Sequence, residues 1–179
     1  MYRKALLIFF VSLVSIFSVK AQRYNLVLGP EVAFPAGQSA NQSPIGFGAS
    51  LKAEVGISEK FSFTGSGAVM SFLGKRFFRQ RQPTNSYVPI KAGLKYYTDE
   101  NFYIEGQIGA SLPMNHSGRT AFAWSPGIGS FVKNKRNSSQ LDVGLRYEGW
   151  VSSSLLTTTG RRYANFGFFS LRAAYAFNL

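Results

Sequence analysis

Two runs of two-residue alternation flank Asp99-Glu100-Asn101, and together they dictate a hairpin. In the first run Val88, Ile90, Ala92, Leu94 and Tyr96 share one face, while Pro89, Lys91, Gly93, Lys95 and Tyr97 share the other. The second run repeats the pattern, with Phe102, Ile104, Gly106, Ile108, Ala110 and Leu112 against Tyr103, Glu105, Gln107, Gly109 and Ser111. Side chains of a strand alternate between its faces, so each run is an amphipathic strand. More than ten residues of unbroken alternation is long for a soluble strand. It suits a strand that crosses a bilayer at a tilt.

The same pattern recurs along the chain. Strands are predicted at Tyr24–Phe34, Ile45–Ile57, Phe61–Leu73, Phe122–Val132, Gln140–Val151 and Tyr163–Leu179, making eight with the central hairpin. Ile45–Ile57 alternates without exception. The faces of Phe61–Leu73 become ambiguous after Ala68, where a bulge is expected. Phe122–Val132 is weakened by Pro126 and its glycines, which blur its boundaries. The first, third, fifth and seventh connections (Pro35–Pro44, Gly74–Ser86, Pro113–Ala121 and Ser152–Arg162) are the long ones. Ser58–Lys60, Asp99–Asn101 and Lys133–Ser139 are the shorter ones. An even number of strands with alternating short turns and long loops is the connectivity of an outer-membrane barrel, which places both chain ends on the short-turn side.

The chain opens with Arg3 and Lys4, followed by an uncharged stretch, Ala5–Val19. A basic start, an apolar segment and Val19-Lys20-Ala21 read as a signal peptide over residues 1–21, cleaved before Gln22. The apolar segment falls short of the roughly 20 residues that a spanning helix needs. Without a cysteine anywhere, lipid anchoring through a thiol, disulfides and thiolate metal sites are excluded. The expected mature chain, residues 22–179, forms one domain. It carries 17 basic and 8 acidic residues, a net charge of +9. For an exported chain this balance points to an anionic surface and away from nucleic acid.

Alternation alone cannot say which face points inward. In a soluble ligand-binding barrel the apolar face lines the interior; in a membrane barrel it meets lipid. Three features favour the membrane. Aromatic residues gather near strand ends (Tyr24, Phe34, Phe61, Phe63, Tyr96, Phe102, Phe122, Trp124, Trp150, Tyr163 and Phe177), as interfacial girdles do. The polar face is rich in glycine, which suits a crowded lumen. It also holds a balanced set of charges: Glu31, Glu54, Glu105, Asp142 and Glu148 with Lys52, Lys91, Lys95, Arg146 and Arg172. Balance is expected where buried charges must pair. Counting from the central turn, Lys95 and Glu105 face each other and are expected to form a cross-strand lumen pair.

The hairpin Pro89-Ile90-Lys91-Ala92-Gly93-Leu94-Lys95-Tyr96-Tyr97, followed by Phe102-Tyr103-Ile104-Glu105-Gly106, resembles the small outer-membrane β-barrel domain family of Bacteroidetes, which includes porin-family and PorT-like proteins. The last strand, with Phe169, Leu171, Ala173, Tyr175, Phe177 and Leu179 in alternation, resembles the C-terminal signal read by the barrel-insertion machinery, although it ends on Leu179 where that signal has an aromatic residue. The resemblance implies an outer-membrane address, an eight-stranded antiparallel up-and-down barrel and no catalytic residues.

The residues themselves suggest little chemistry. His116 beside Ser117 is the only histidine, with no nearby acid to orient it, so a lipid-modifying activity is a weak alternative. One histidine without cysteine is also a poor start for a metal site, and no cofactor is expected. The densest functional signal is Lys75-Arg76-Phe77-Phe78-Arg79-Gln80-Arg81. Lys75, Arg76, Arg79, Arg81, Arg119, Arg161 and Arg162 are candidate contacts to lipopolysaccharide or another anion, since guanidinium groups bind phosphate well. An eight-stranded barrel is filled by its own side chains, so a wide pore is not expected. The reading is a structural or surface-interaction barrel, possessing lipid, lipopolysaccharide or a further protein as partner. A narrow porin or an accessory barrel of a secretion system is the alternative.

Overall fold

The computed structural model describes residues 24–77, 80–81, 84–115, 119–133, 140–157 and 160–178. The leader read at residues 1–21, together with Arg79, His116, Ser117 and Leu179, lies outside the described residues. Eight long strands form one closed sheet: β1 Tyr24–Ala36, β2 Gly46–Gly56, β3 Phe61–Phe72, β6 Asn85–Tyr97, β7 Phe102–Pro113, β8 Ala121–Lys133, β9 Gln140–Thr157 and β10 Gly160–Asn178. Two short strands, β4 Arg76–Phe77 and β5 Gln80–Arg81, pair separately within the connection between β3 and β6. Every neighbour is antiparallel and sequential, and β10 closes on β1. Closure leaves no free sheet edge, which is what a bilayer demands of a strand protein. Among the described residues no helix is long and apolar enough to cross a membrane.

Exposure decides the faces. Leu94 is 55 % exposed and Ile108 61 %, whereas Lys52 and Lys95 are 0 %. The aliphatic face therefore points outward around the barrel and the charged face points in. Such an exterior is stable in lipid and costly in water. The girdle residues Tyr24, Phe34, Phe61, Phe63, Tyr96, Phe102, Phe122, Trp124 and Phe177 all lie on this exterior. Trp150 does not. It is 3 % exposed and packs inside, which corrects its assignment to the girdle. Its parity is that of Glu148, two residues earlier on the same strand.

Two further expectations are corrected. No bulge interrupts β3, whose register with β2 runs unbroken from Ser62 to Phe72. The faces looked ambiguous because the inward positions change from Ser62, Thr64 and Ser66 to Ala68, Met70 and Phe72. The interior itself becomes apolar at that end. As expected, β8 runs through Pro126, where pairing with β9 lapses between Trp124 and Gly127 and resumes in the same register. The Ser/Thr-rich connection after Val151 is instead mostly hairpin, since β9 and β10 pair as far as Thr157 and Gly160. Beyond Val151 and Gly167 these strands pair only with each other, so they project past the barrel as a two-stranded arm.

Candidate functional site: the lumen and its mouth

All ten charges read from the sequence as lumen residues face inward. Nine are buried, and the Arg146 side chain is 11 % exposed. They separate into two groups along the barrel axis. Nearer the short turns, Lys52 Nζ lies 3.2 Å from Glu105 Oε2 and 3.4 Å from Asp142 Oδ2. Arg172 Nη2 lies 2.8 Å from Asp142 Oδ2, and Lys95 Nζ donates to Glu54 Oε2 at 2.5 Å. Three cations meet three carboxylates. Nearer the long loops, Arg146 bridges Glu31 and Glu148, its Nε 2.8 Å from Glu148 Oε1, and Lys91 also pairs with Glu148. Here two cations meet two carboxylates. Each group is neutral by itself, as a medium of low dielectric requires.

Lys95 and Glu105 are direct register partners on β6 and β7, as the turn count indicated. Their side chains are not ion-paired to each other. Lys95 reaches across β3 to Glu54 on β2, while Glu105 is met by Lys52 from β2. The inner wall of a small barrel is concave, so long side chains from strands two or more apart converge. At this level β3 contributes only Ser62 and Thr64, which leaves room for the crossing.

Neutral side chains add further hydrogen bonds to the carboxylates. The Tyr97 hydroxyl donates to Glu54, and the Tyr103 hydroxyl donates to Asp142. Gln107 Nε2 donates to Thr64 Oγ1 at 3.2 Å and to Glu105 Oε1 at 3.1 Å, and its Oε1 accepts from Ser66. Ser170 donates to Glu31. Lys95 Nζ also stands 4.2 Å from the Tyr103 ring centre. Tyr97 and Tyr103 were legible as inward residues by parity, but their role in satisfying the carboxylates was not. At Gly129 a Cβ would stand 2.3 Å from the Tyr103 hydroxyl, so glycine there makes room for that ring.

The charged layers are capped at both ends by apolar ones. Val27, Tyr103, Phe131, Ala174 and Ala176 cluster toward the short turns. Toward the long loops, Phe72, Trp150 and Phe168 pack with Tyr87 and Phe166. Trp150 meets Phe168 edge-on at 5.0 Å and Phe72 at 5.7 Å, while its Nε1 donates to Glu148 Oε2 at 2.9 Å. This aromatic layer was missed because its members lie far apart in sequence on four strands. The short helical turn Gly37–Asn41 folds over this end, where the Ser39 hydroxyl accepts from the Gly167 amide at 2.9 Å. Ser43 Oγ donates to the Leu73 carbonyl at 2.6 Å, tying the first long loop to the end of β3.

The described basic residues read from the loops belong, by connectivity, to the same end. The β4–β5 ribbon sets Arg76 opposite Arg81 in register. Arg161 lies on the projecting arm, opposite Leu156. Lys75 and Arg119 flank the mouth, Lys75 half-buried and Arg119 exposed. Among the described residues no group of three or more His, Asp or Glu side chains is placed to hold a metal ion.

No protein-family model matches the chain, and no curated protein matches it by sequence. Solved structures do. The chain is similar to Neisserial surface protein A (NspA), with a TM-score of 0.60, 12 % identity and coverage of 87 % of this chain and 97 % of that one. It is similar to Ail, the attachment invasion locus protein of Yersinia pestis, in a complex with the heparin analogue sucrose octasulfate (TM-score 0.52, 16 % identity, 87 % and 99 % covered). It is also similar to the outer membrane protein OprG from Pseudomonas aeruginosa (TM-score 0.54, 12 % identity, 89 % and 98 % covered). At these identities the likeness is one of fold: the small eight-stranded outer-membrane barrel.

Proposed function

We propose that this chain is a non-enzymatic outer-membrane barrel whose long-loop end meets lipopolysaccharide or another anionic surface partner. The observation that carries the reading is the distribution of charge. The lumen is neutral, so the excess of cations falls on the two ends, and unequally. The long-loop end carries Lys75, Arg76, Arg79, Arg81, Arg119, Arg161 and Arg162 with no acid, whereas Glu59, Asp99 and Glu100 all belong to the short turns. Phosphate and sulfate groups are the natural counterpart of clustered guanidinium. The same fold in Ail is known with a sulfated sugar analogue and in a phospholipid nanodisc, which supports this class of contact.

In this reading residues 1–21 direct export, the insertion machinery recognises the last strand, and both termini are periplasmic. The hairpin resemblance to small Bacteroidetes barrels supports the same address. The filled lumen supports a scaffold or contact role over conduction. Binding of purified lipopolysaccharide to the detergent-solubilised protein tests the proposal. Reversing Lys75, Arg76, Arg79 and Arg81 to Glu is expected to lower affinity at least tenfold and to flatten its salt dependence. Affinity indifferent to both salt and these reversals overturns the reading. Steady single-channel openings in planar bilayers would replace it with transport.

A further inference from the structure

Above Trp150 the barrel mouth retains a cavity of about 390 Å³, within the roughly 300–1,000 Å³ typical of small-molecule sites. We propose that this cavity seats one ring of an anionic saccharide, a sugar bearing a carboxylate, phosphate or sulfate. The proposal deepens the surface-contact function above and rests on the outward orientation of the long-loop end.

The lining matches that ligand on three counts. Its floor is aromatic: half-buried Tyr87 and Phe166 lie over buried Phe72 and Trp150, with Tyr87 and Trp150 centred 5.1 Å apart and Phe72 and Phe166 4.9 Å apart. Three amides stand among the exposed lining residues. Gln42, Asn85 and Asn165 come from the first loop, β6 and β10, and all three are exposed. An amide both donates and accepts, as a sugar hydroxyl does. A ring with apolar C–H faces and a hydroxyl perimeter satisfies floor and amides together. An acyl chain would make no use of the amides, and a bare phosphate would leave the aromatic floor unused.

Charge is the third count. Arg119 lines the cavity, and no carboxylate does among the described residues. Glu148, beneath the floor, is committed to Lys91, Arg146 and the Trp150 indole. That same indole bond fixes the floor on the charged lumen layer, so the site is built before a ligand arrives, which lowers the ordering cost of binding.

Trp150 provides the readout. In a Trp124→Phe background, the full protein in detergent is titrated with D-glucuronate, D-glucose, inorganic sulfate, purified lipopolysaccharide and a lipid-free acidic oligosaccharide, following Trp150 emission. A saturable response to glucuronate, at least fivefold tighter than to glucose, is expected. Phe166→Ala should weaken it tenfold or more. Asn85→Ala with Asn165→Ala, both exposed in the lining, should do the same without loss of the heat-modifiable folded band. Arg119→Gln should erase the preference for glucuronate over glucose.

A response to lipopolysaccharide alone among the polymers, beside that to glucuronate, identifies a glycolipid source. A response to the lipid-free oligosaccharide as well identifies a soluble polymer. An equal response to inorganic sulfate overturns the saccharide assignment, and an equal response to glucose overturns the anionic one. Silence toward every sugar while salt-dependent lipopolysaccharide binding persists overturns the cavity proposal alone. Loss of both removes the surface-contact function with it.

Discussion

Replacing Lys95 by Met removes one ammonium from the inner charged layer while keeping most of its side-chain volume. Lys95 Nζ is 2.5 Å from Glu54 Oε2, 4.2 Å from the Tyr103 ring centre and 5.0 Å from that of Phe131. Without it, Glu54 keeps the Tyr97 hydroxyl but loses its nearest counter-ion, at 2 % exposure. Removing one partner of a buried pair costs about 3–5 kcal/mol, largely because the other charge stays buried and unmatched. Each 1.4 kcal/mol is about tenfold, so the unfolding equilibrium should move roughly 10²–10⁴-fold. Adding Glu54→Gln should return most of this loss, because the amide oxygen still accepts from Tyr97 and no charge is stranded. The assay is denaturant unfolding of the barrel in lipid vesicles, followed by tryptophan emission, with midpoints compared at a common slope. The double-mutant cycle then isolates the pair. A Lys95→Met barrel within about 1 kcal/mol of wild type, the range of exposed pairs, would refute the buried-layer reasoning. So would a double variant no more stable than the single one.

Ile90→Arg, at a mid-strand position 54 % exposed on the outer face, should destabilise the barrel in lipid by about 2–4 kcal/mol; no loss in vesicle unfolding would mean that this face does not meet hydrocarbon. Brominated lipid should quench Trp124 emission in a Trp150→Phe variant and leave Trp150 emission intact in a Trp124→Phe variant; the reverse outcome would invert the faces. At Gly109 a Cβ would stand 2.0 Å from the Ile90 carbonyl oxygen and 2.7 Å from the Lys91 Cα. Gly109→Val should therefore force β6 and β7 apart, with a cost of at least 1–3 kcal/mol and a smaller heat-modifiable fraction on refolding; an unchanged fraction would show that the two backbones do not approach so closely.

Strand number, order and inward residues were legible because a strand has only two faces and a lipid-facing strand must keep one of them apolar. Tyr97, Lys95, Lys91 and Pro89 could thus be placed inside from Val88–Tyr97 alone. The same rule failed at Met70, Phe72 and Trp150, where the interior is itself apolar and the contrast between faces disappears. Loop composition misled after Val151 for a related reason. Serine and threonine suit a solvated hairpin arm as well as a loop, and only pairing with β10 separates the two.

The identity of the ion pairs lay beyond reach for a geometric reason. Register is a property of adjacent strands, and it did set Lys95 opposite Glu105. Pairing inside a narrow barrel is decided across the lumen, by which long side chains converge over short ones. Lys52 on β2 meets Asp142 on β9 as well as Glu105 on β7, and Arg146 on β9 meets Glu31 on β1. These contacts depend on the curvature of the closed sheet, which no two-strand count contains. What the sequence does carry is the constraint those contacts must satisfy: five acids for five bases on the inward face. That equality makes the interior neutral whichever pairs form, and it leaves the chain's positive charge to the ends of the barrel.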